Sequence, residues 1–453
     1  MPAKNVNDIV ALCKRRGFIF NGSDIYGGLG GTYDYGPYGV ELMKNIRNTW
    51  WNNMVYMRDD VEGLDAALLS NRLLWKYSGH EAGFSDPLVE CKKCGTRMRQ
   101  DKMKDQKKCD ACNSADLMEP RAYQLMMGLS IGATSDGAIN AYLRPETATT
   151  TYTNFKNVLD ARPHKLPFGI VQIGKAFRNE ISPRGFVFRM REFEQAELQY
   201  FVNPSEDEKY FELWKTQRMQ WWIEQLGIPA KKLRFQPHEK LAHYAKAAFD
   251  IEYEFPDGFD EVEGIHNRQD FDLGSHTKAQ GDFKIAATVL ENKDSTTKLS
   301  YSDAQSGENF LPYVIETAMG VNRCMFAVML EAYTEEDLGD GSSRIVLKLK
   351  PALAPVKAAV IPLVRNVPEL LTISNEIATD LRKLGIGRIE LENSGNIGKN
   401  YRRHDEIGTP VCITVDHQTM EDRTVTLRHR DSMEQERISI DILCARLFEI
   451  ISA

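Results

Sequence analysis

The sequence predicts a chain of two parts: an α+β body built on antiparallel strands with helices beside them, then a small α/β domain. Three stretches carry this. Residues 177–197, FRNEISPRGFVFRMREFEQAE, read as two antiparallel strands and the loop between them. Residues 170–180 are apolar, small and β-friendly, and Ser182-Pro183-Arg184-Gly185 supplies turn chemistry. Phe186, Phe188, Met190 and Glu192 then alternate with Val187, Arg189, Arg191 and Phe193, which points successive side chains to opposite faces. Residues 311–323 read as a strand ending at Glu316, a small-residue turn, and a helix opening near Gly320. Beyond Pro351 a strand (358–364), a helix (368–384), a strand (386–392), two more strands (411–415 and 423–429) and a helix from about 439 follow one another. Such alternation calls for a largely parallel sheet.

The 453 residues allow two to four domains, at roughly 150 residues each. Residues 333–343, TEEDLGDGSSR, read as a loop and boundary, separating a body (1–343) from a terminal domain (351–453). With 42% hydrophobic and 27% charged residues the chain is an ordinary globular one. It has no apolar run long enough for a membrane span, and its start lacks a secretion signal, so a cytoplasmic protein is expected. A net charge of −7 excludes indiscriminate coating of nucleic acid but not a local basic face. Four of the eight cysteines are paired in the sequence (91, 94, 109, 112) and four are scattered, which fits a metal site in a reducing compartment better than a disulfide framework.

In order along the chain, Val6, Ile9, Val10 and Cys13 recur at helical spacing and Gly17 stops that helix. The glycines at 27–31 read as turns. A helix is expected from 40 to 51, with Val40, Met43, Ile46, Trp50 and Trp51 mostly on one face. Cys91-x2-Cys94 and Cys109-x2-Cys112 are two metal hooks within an insertion of about 88–118, enough for a closed, structural tetrahedral Zn²⁺ site; four free thiols are the alternative. Arg144 and Glu146 flank Pro145, and on their own would make a surface ion pair. A helix with Trp214, Trp221, Trp222 and Leu226 as anchors spans 206–226. His238 and His243, five apart, do not make a metal site. The acidic run 260–264 suits a strand ending at Gly264, followed by Arg268, Asp270, Asp272 and His276; it reads either as a Mg²⁺ and ammonium site or as a loop held by Arg268 and Asp272. Residues 396–403 are basic with one tyrosine, and Arg423, Arg428 and Arg430 lie beyond; clustered cations with a stackable ring suit single-stranded RNA, or form a solvated basic face.

On the central stretch, Arg178, Arg189 and Arg191 can converge beside Glu180, Glu192, Glu194 and Glu197. Guanidinium forks fit phosphate oxygens, and the carboxylates fit Mg²⁺ or an ammonium group. A charge-alternating edge hairpin is the bland alternative. FRNE, RGFVFRMREF and the closing glutamate closely resemble the second signature motif of class II aminoacyl-tRNA synthetases, and within them the homodimeric glycyl-tRNA synthetases. Gly-Pro-Tyr-Gly before the helix at 40–51 resembles the first motif, and Gly320-x-x-Arg323 the third. The resemblance runs with gaps over nearly the whole chain. It implies a catalytic domain with a central antiparallel sheet flanked by helices, an anticodon-binding α/β domain and a homodimer. It implies an ATP-dependent ligase that activates glycine with Mg²⁺ present and charges tRNA(Gly).

The resemblance also assigns residues. Arg178 is expected on the α-phosphate, Arg189 and Arg323 at the β/γ end, Phe193 on adenine, Glu180 on its amino group, and Glu261 or Glu263 at Mg²⁺. Asn179, Phe188, Met190, Arg191, Glu192, Val262, Glu316, Thr317, Ala318 and Met319 complete the expected nucleotide site. Arg99, Glu146, Phe193, Glu194, Gln195, Ala196, Glu197, Pro312 and Glu316 make up the amino-acid site. Two positions depart from the family pattern: Thr149 stands where a glutamine is usual, and Ala318 where a serine is common. Glycine has no side chain to reward, so it must be selected by exclusion, and no editing domain is expected. The competing readings are a non-catalytic nucleic-acid-binding relative and a synthetase for another small amino acid.

Overall fold

The computed structural model describes residues 5–134, 138–242, 244–339 and 341–452; His243 lies outside them. Its body is organised on one sheet. The strands are β1 (Val61–Gly63), β2 (Phe168–Phe177), β3 (Glu192–Val202), β4 (Leu233–Pro237), β5 (Ala247–Phe255), β6 (Gly258–Gln269) and β7 (Tyr313–Gly320), in the spatial order β4-β5-β6-β7-β3-β2-β1. Neighbours are antiparallel throughout, except that β1 runs parallel to β2.

Helices α1 (Val6–Arg16), α2 (Pro37–Trp51), α3 (Asp207–Glu224) and α4 (Val321–Ala332) share one apolar core with the sheet. Gly17 ends α1 in the left-handed region at φ 74°, as a glycine stop should. Met43, Ile46 and Trp50 of α2 are buried, whereas Val40 is exposed: Pro37 starts the helix a turn earlier than expected and turns Val40 outward. Ile315 and Met319 of β7 enter the core, while Glu316 and Ala318 face the other way. One face of the sheet is thus packed and the other is free to carry a cleft.

The structure corrects several local expectations. The alternation at 186–193 is not a strand: Phe186–Phe188 is a 3₁₀ turn, and β3 begins only at Glu192. Strand β7 runs through Thr317–Gly320 straight into α4, with no turn after Glu316. β6 continues past Gly264 to Gln269. Residues 333–343 are not a free loop but most of a hairpin, β8 (Tyr333–Asp337) on β9 (Ser343–Leu347).

The terminal part has strands β10 (Val356–Pro362), β11 (Arg388–Leu391), β12 (Val411–Val415), β13 (Thr424–His429) and β14 (Gln435–Ser439) in the order β11-β10-β12-β13-β14. Only β11-β10-β12 is parallel; β13 and β14 are antiparallel, so the sheet is mixed. Helices α5 (Pro368–Lys383), α6 (Ile397–Ile407) and α7 (Ile440–Ser452) pack on it. The basic stretch 396–403 lies largely in α6. Tyr401 bonds Thr414 and lies beneath Arg428. Arg428 is buried on Asp405, and Arg430 on Asp431 and two backbone carbonyls. Both arginines therefore hold the fold, not an exposed RNA face. The two parts meet through Arg15 and Arg16 on Glu406, Tyr38 on Glu390, and Asn45 on the carbonyls of Leu353 and Ala354.

Candidate active site

The free face of the sheet forms an open cleft. Its two ends differ in charge. At the acidic end, Glu197 on β3 stands opposite Ala318, and Glu316 on β7 stands between Gln199 and His266 in the ladder. Gln199 Nε2 donates to Glu316 Oε1 at 3.0 Å, Arg268 Nη1 to Oε2 at 3.0 Å, and His266 Nδ1 lies 2.9 Å from that oxygen. Arg268 also grips Asp272 with two bonds of 2.7 and 2.9 Å. Glu146 comes from the Pro145 turn ahead of the short helix Ala148–Tyr152. Thr149 Oγ donates to its Oε1 at 2.6 Å and His80 Nε2 is 3.2 Å from its Oε2. The unusual Thr149 thus orients a cleft-facing carboxylate.

Three carboxylates in one buried space cannot all ionise equally. Burial pushes the Glu197 carboxyl well above its ordinary range, and repulsion from Glu316 and Glu146 adds to that. Burial also opposes the charge on Glu316, but Arg268 and His266 overcome it and hold that group low. Glu146 is likewise held low against burial by His80, Arg268 and Thr149. The three carboxyl groups therefore differ: Glu146 and Glu316 are held low, and Glu197 is pushed high.

The other end is basic and aromatic. Arg178 donates to the Pro145 carbonyl at 3.1 Å, with its guanidinium 5.2 Å from the Phe193 ring and 5.3 Å from Phe84. Arg323, in the first turn of α4, lies 4.3 Å over Phe188; it bonds the Phe188 carbonyl and the Glu261 carboxylate at 3.1 Å each. Arg189 Nη1 is 3.9 Å from Glu180 Oε2. Met190 and Gln195 also line the cleft. These are donors and ring faces suited to a polyphosphate and a planar base.

Not every expected residue reaches this space. Glu263 is fully buried on the helix side, bonded to Arg218 and Trp222. A bulge between Ile251/Glu252 and Glu261/Glu263 breaks the two-residue alternation, so Glu261 faces the cleft and Glu263 does not. Arg191 turns away to the carbonyls of Gly30 and Glu180. Glu192 pairs with Lys175 at the surface, and the Glu194 carboxylate is held by Arg47, although Glu194 still borders the cleft. Asn179 anchors its backbone to Leu125. Val262, Ala196 and Met319 pack in the core, and Thr317 is buried between the cleft-facing Glu316 and Ala318. Pro312 is buried at the far end of β7. Arg99 pairs with Asp86 at 2.8 Å and lines a neighbouring groove that shares Arg189 with the cleft. Arg144 is no surface ion pair: it is fully buried, bonding the carbonyls of Lys175 and Ala66 and the side chain of Gln172.

Conversely, Arg268, His266, His80 and Gln199 were not assigned to the site from sequence. Only Arg268 left a trace, as the cation four positions before Asp272.

The cysteine hooks come together. Cys91 and Cys112 sulfurs are 3.6 Å apart, as are Cys94 and Cys109, and all four lie within 4.8 Å. Tetrahedral Zn–thiolate geometry places sulfurs about 3.8 Å apart, so the four residues fit the ion.

Comparison with known proteins completes the picture. The tRNA synthetase class II core domain (G, H, P, S and T) matches residues 133–333, and an anticodon binding domain matches 357–449. The glycine–tRNA ligase of Thermus thermophilus is 49% identical over 98% of both chains, and that of Borreliella burgdorferi 49% identical over 97% of this chain and 96% of its own. The chain belongs to the glycine–tRNA ligase family. A prolyl-tRNA synthetase of Cryptosporidium parvum, crystallised with halofuginone and AMPPNP, shares the fold at a TM-score of 0.65 and 17% identity, over 98% of this chain and 74% of its own. Membership agrees with the cleft: a family that joins an amino acid to a nucleotide needs one acidic and one basic end. No helix among the described residues is long and apolar enough to cross a membrane.

Proposed function

We infer that this protein is a glycine–tRNA ligase: it activates glycine with ATP and transfers the glycyl group to the 3′ end of tRNA(Gly). One observation carries the reading. Arg178, Arg323 and Glu316, drawn from distant segments, line a single cleft.

In this reading the glycine ammonium enters among Glu146, Glu197 and Glu316, where its charge favours the ionised form of Glu197. A carboxylate oxygen of glycine attacks the α-phosphorus and the bond to pyrophosphate breaks. Arg178 offsets charge growing on the α-phosphate, while Arg189 and Arg323 take the β/γ end. For that, Arg323 exchanges its Glu261 bond for phosphate oxygens. Phe193 stacks on adenine and Glu180 accepts from its amino group. Glu261 is the carboxylate that would hold Mg²⁺ together with the phosphates, and the ion would neutralise phosphate charge. The ribose hydroxyl of tRNA then attacks the glycyl carbonyl and AMP leaves. Catalysis here is positioning plus electrostatic stabilisation, with no covalent nucleophile. A methyl group on the α-carbon would displace one of the three carboxylates, which excludes alanine.

Residues 351–453 serve as the anticodon-reading domain beside a catalytic body of 1–343, and Cys91, Cys94, Cys109 and Cys112 hold a structural Zn²⁺. A cytoplasmic homodimer is expected, with a sedimentation mass twice that of the chain. The deciding experiment is ATP–pyrophosphate exchange: it should require glycine, ignore alanine, and vanish in Arg178→Ala and Glu316→Ala. Exchange without glycine sinks the reading.

A further inference from the structure

Beside the acidic end lies a group of three side chains, of which only His266 also touches the carboxylates of the cleft. His238 follows β4, Asp250 sits in β5 and His266 in β6, on neighbouring strands. One ring nitrogen of each histidine and a carboxylate oxygen of Asp250 lie within 4.8 Å of one another. His238 Nε2 is 2.9 Å from Asp250 Oδ2, and the two imidazoles meet edge to face with centroids 5.8 Å apart. Gly264, paired with Asp250, leaves the room: a Cβ there would stand 2.7 Å from His266 Cε1.

Two histidines and one carboxylate are a common donor set for divalent transition metals. No lysine or arginine forms an ion pair with Asp250 among the described residues. The other such group, Glu390, Glu392 and His404, differs on this point, because Arg388 and Arg403 already occupy its carboxylates. We propose that His238, Asp250 and His266 form a site for a divalent transition metal that touches the glycine cage through His266. His266 Nδ1 faces Glu316, so Nε2 is left to ligate. A metal on Nε2 fixes the proton on Nδ1, where it is donated to Glu316 in a carboxylate–histidine–metal series. The added positive charge beside Glu316 weakens its hold on an ammonium group. The metal site stands independently of the ligase reading; its effect on glycine rests on that reading.

The test is a Co²⁺ titration of the full chain after chelator treatment. Thiolate-bound cobalt shows intense charge-transfer absorption, and a nitrogen–oxygen site shows only weak visible bands, so the cysteine cluster is counted separately. The wild type should bind a second cobalt with weak bands. In His238→Ala and in Asp250→Asn that second affinity should fall at least ~10-fold, while the thiolate bands remain. His238 lies outside the cleft wall, so metal-free His238→Ala should keep the wild-type KM for glycine. Cobalt should raise that KM severalfold in the wild type alone. Absence of a second cobalt in the wild type, or its retention in both variants, overturns the site. Binding without a change in glycine KM overturns the link to Glu316. Failure of glycine-dependent exchange in wild type supplied with Mg²⁺ but no transition metal would strike the ligase reading instead, and the cobalt count would stand.

Discussion

The two ends of the cleft are built on opposite plans. At the acidic end Glu316 and Arg268 are each 4% exposed and fully bonded to protein, whereas at the basic end Arg323 is 25% and Glu261 46% exposed, and they bond each other. The first is a closed cluster whose groups already hold one another, which in the proposed reading suits a small cation of fixed shape. The second is a set of provisional contacts, ready to be exchanged for phosphate oxygens. Selection of a substrate without a side chain requires rigidity; capture of a long, flexible polyanion does not.

That contrast breaks most clearly with Arg178→Ala. Its guanidinium makes one bond to a backbone carbonyl, so the melting temperature should hardly move, while exchange should fall ~10²–10³-fold, the usual cost of one transition-state donor. The cage should behave in the reverse sense. Arg268→Met leaves Asp272 a buried carboxylate without its cation and Glu316 with only Gln199 and His266, and should lower stability by about 3–5 kcal/mol in a denaturant melt. A smaller effect is expected at the positioning residue Thr149. Thr149→Val removes a bond to the Glu146 carboxylate, worth about 1.5–3 kcal/mol, and should raise KM for glycine tenfold or more with little change in kcat.

Acidity sharpens the comparison further. Glu197 must ionise to hold an ammonium, and its free-state value is raised. Glycine affinity should therefore rise with pH, by up to ~10-fold per unit, until the free carboxyl has ionised. The stability sign is the opposite. A carboxyl raised by folding contributes stability below its unfolded value that is lost as pH rises towards the folded one. Glu197→Gln should then melt higher than wild type near neutral pH while failing to use glycine. The smallest effect belongs to Glu192→Gln: its partner Lys175 is at the surface, so stability should change by no more than ~1 kcal/mol and exchange hardly at all.

Much of this architecture was legible beforehand. Gly17, the tryptophan helix and the cysteine hooks declare themselves through local chemistry, and Arg178, Glu316 and Arg323 through motif. The basic end was read best because its residues sit beside turns and helix starts, which leave local marks. The acidic end was read by halves. His266 acts from a strand through long-range pairing, and nothing within a few residues distinguishes it from an ordinary polar position; Arg268 shows locally only its pairing with Asp272. Glu263 was misplaced because a bulge, invisible in the pattern, turned it to the other face. Arg428 and Arg430 looked like an RNA surface because sequence shows that a residue is charged, not that Asp405 or a carbonyl awaits it.

The unbroken passage from β7 into α4 has one more consequence. Glu316 and Arg323 ride on the same continuous segment, so the distance between the proposed amine holder and the proposed phosphate holder is set like marks on a ruler. β-Alanine, one methylene longer than glycine and unbranched, would carry its carboxylate past the α-phosphorus. It should occupy the enzyme as a competitor and yet yield no adenylate.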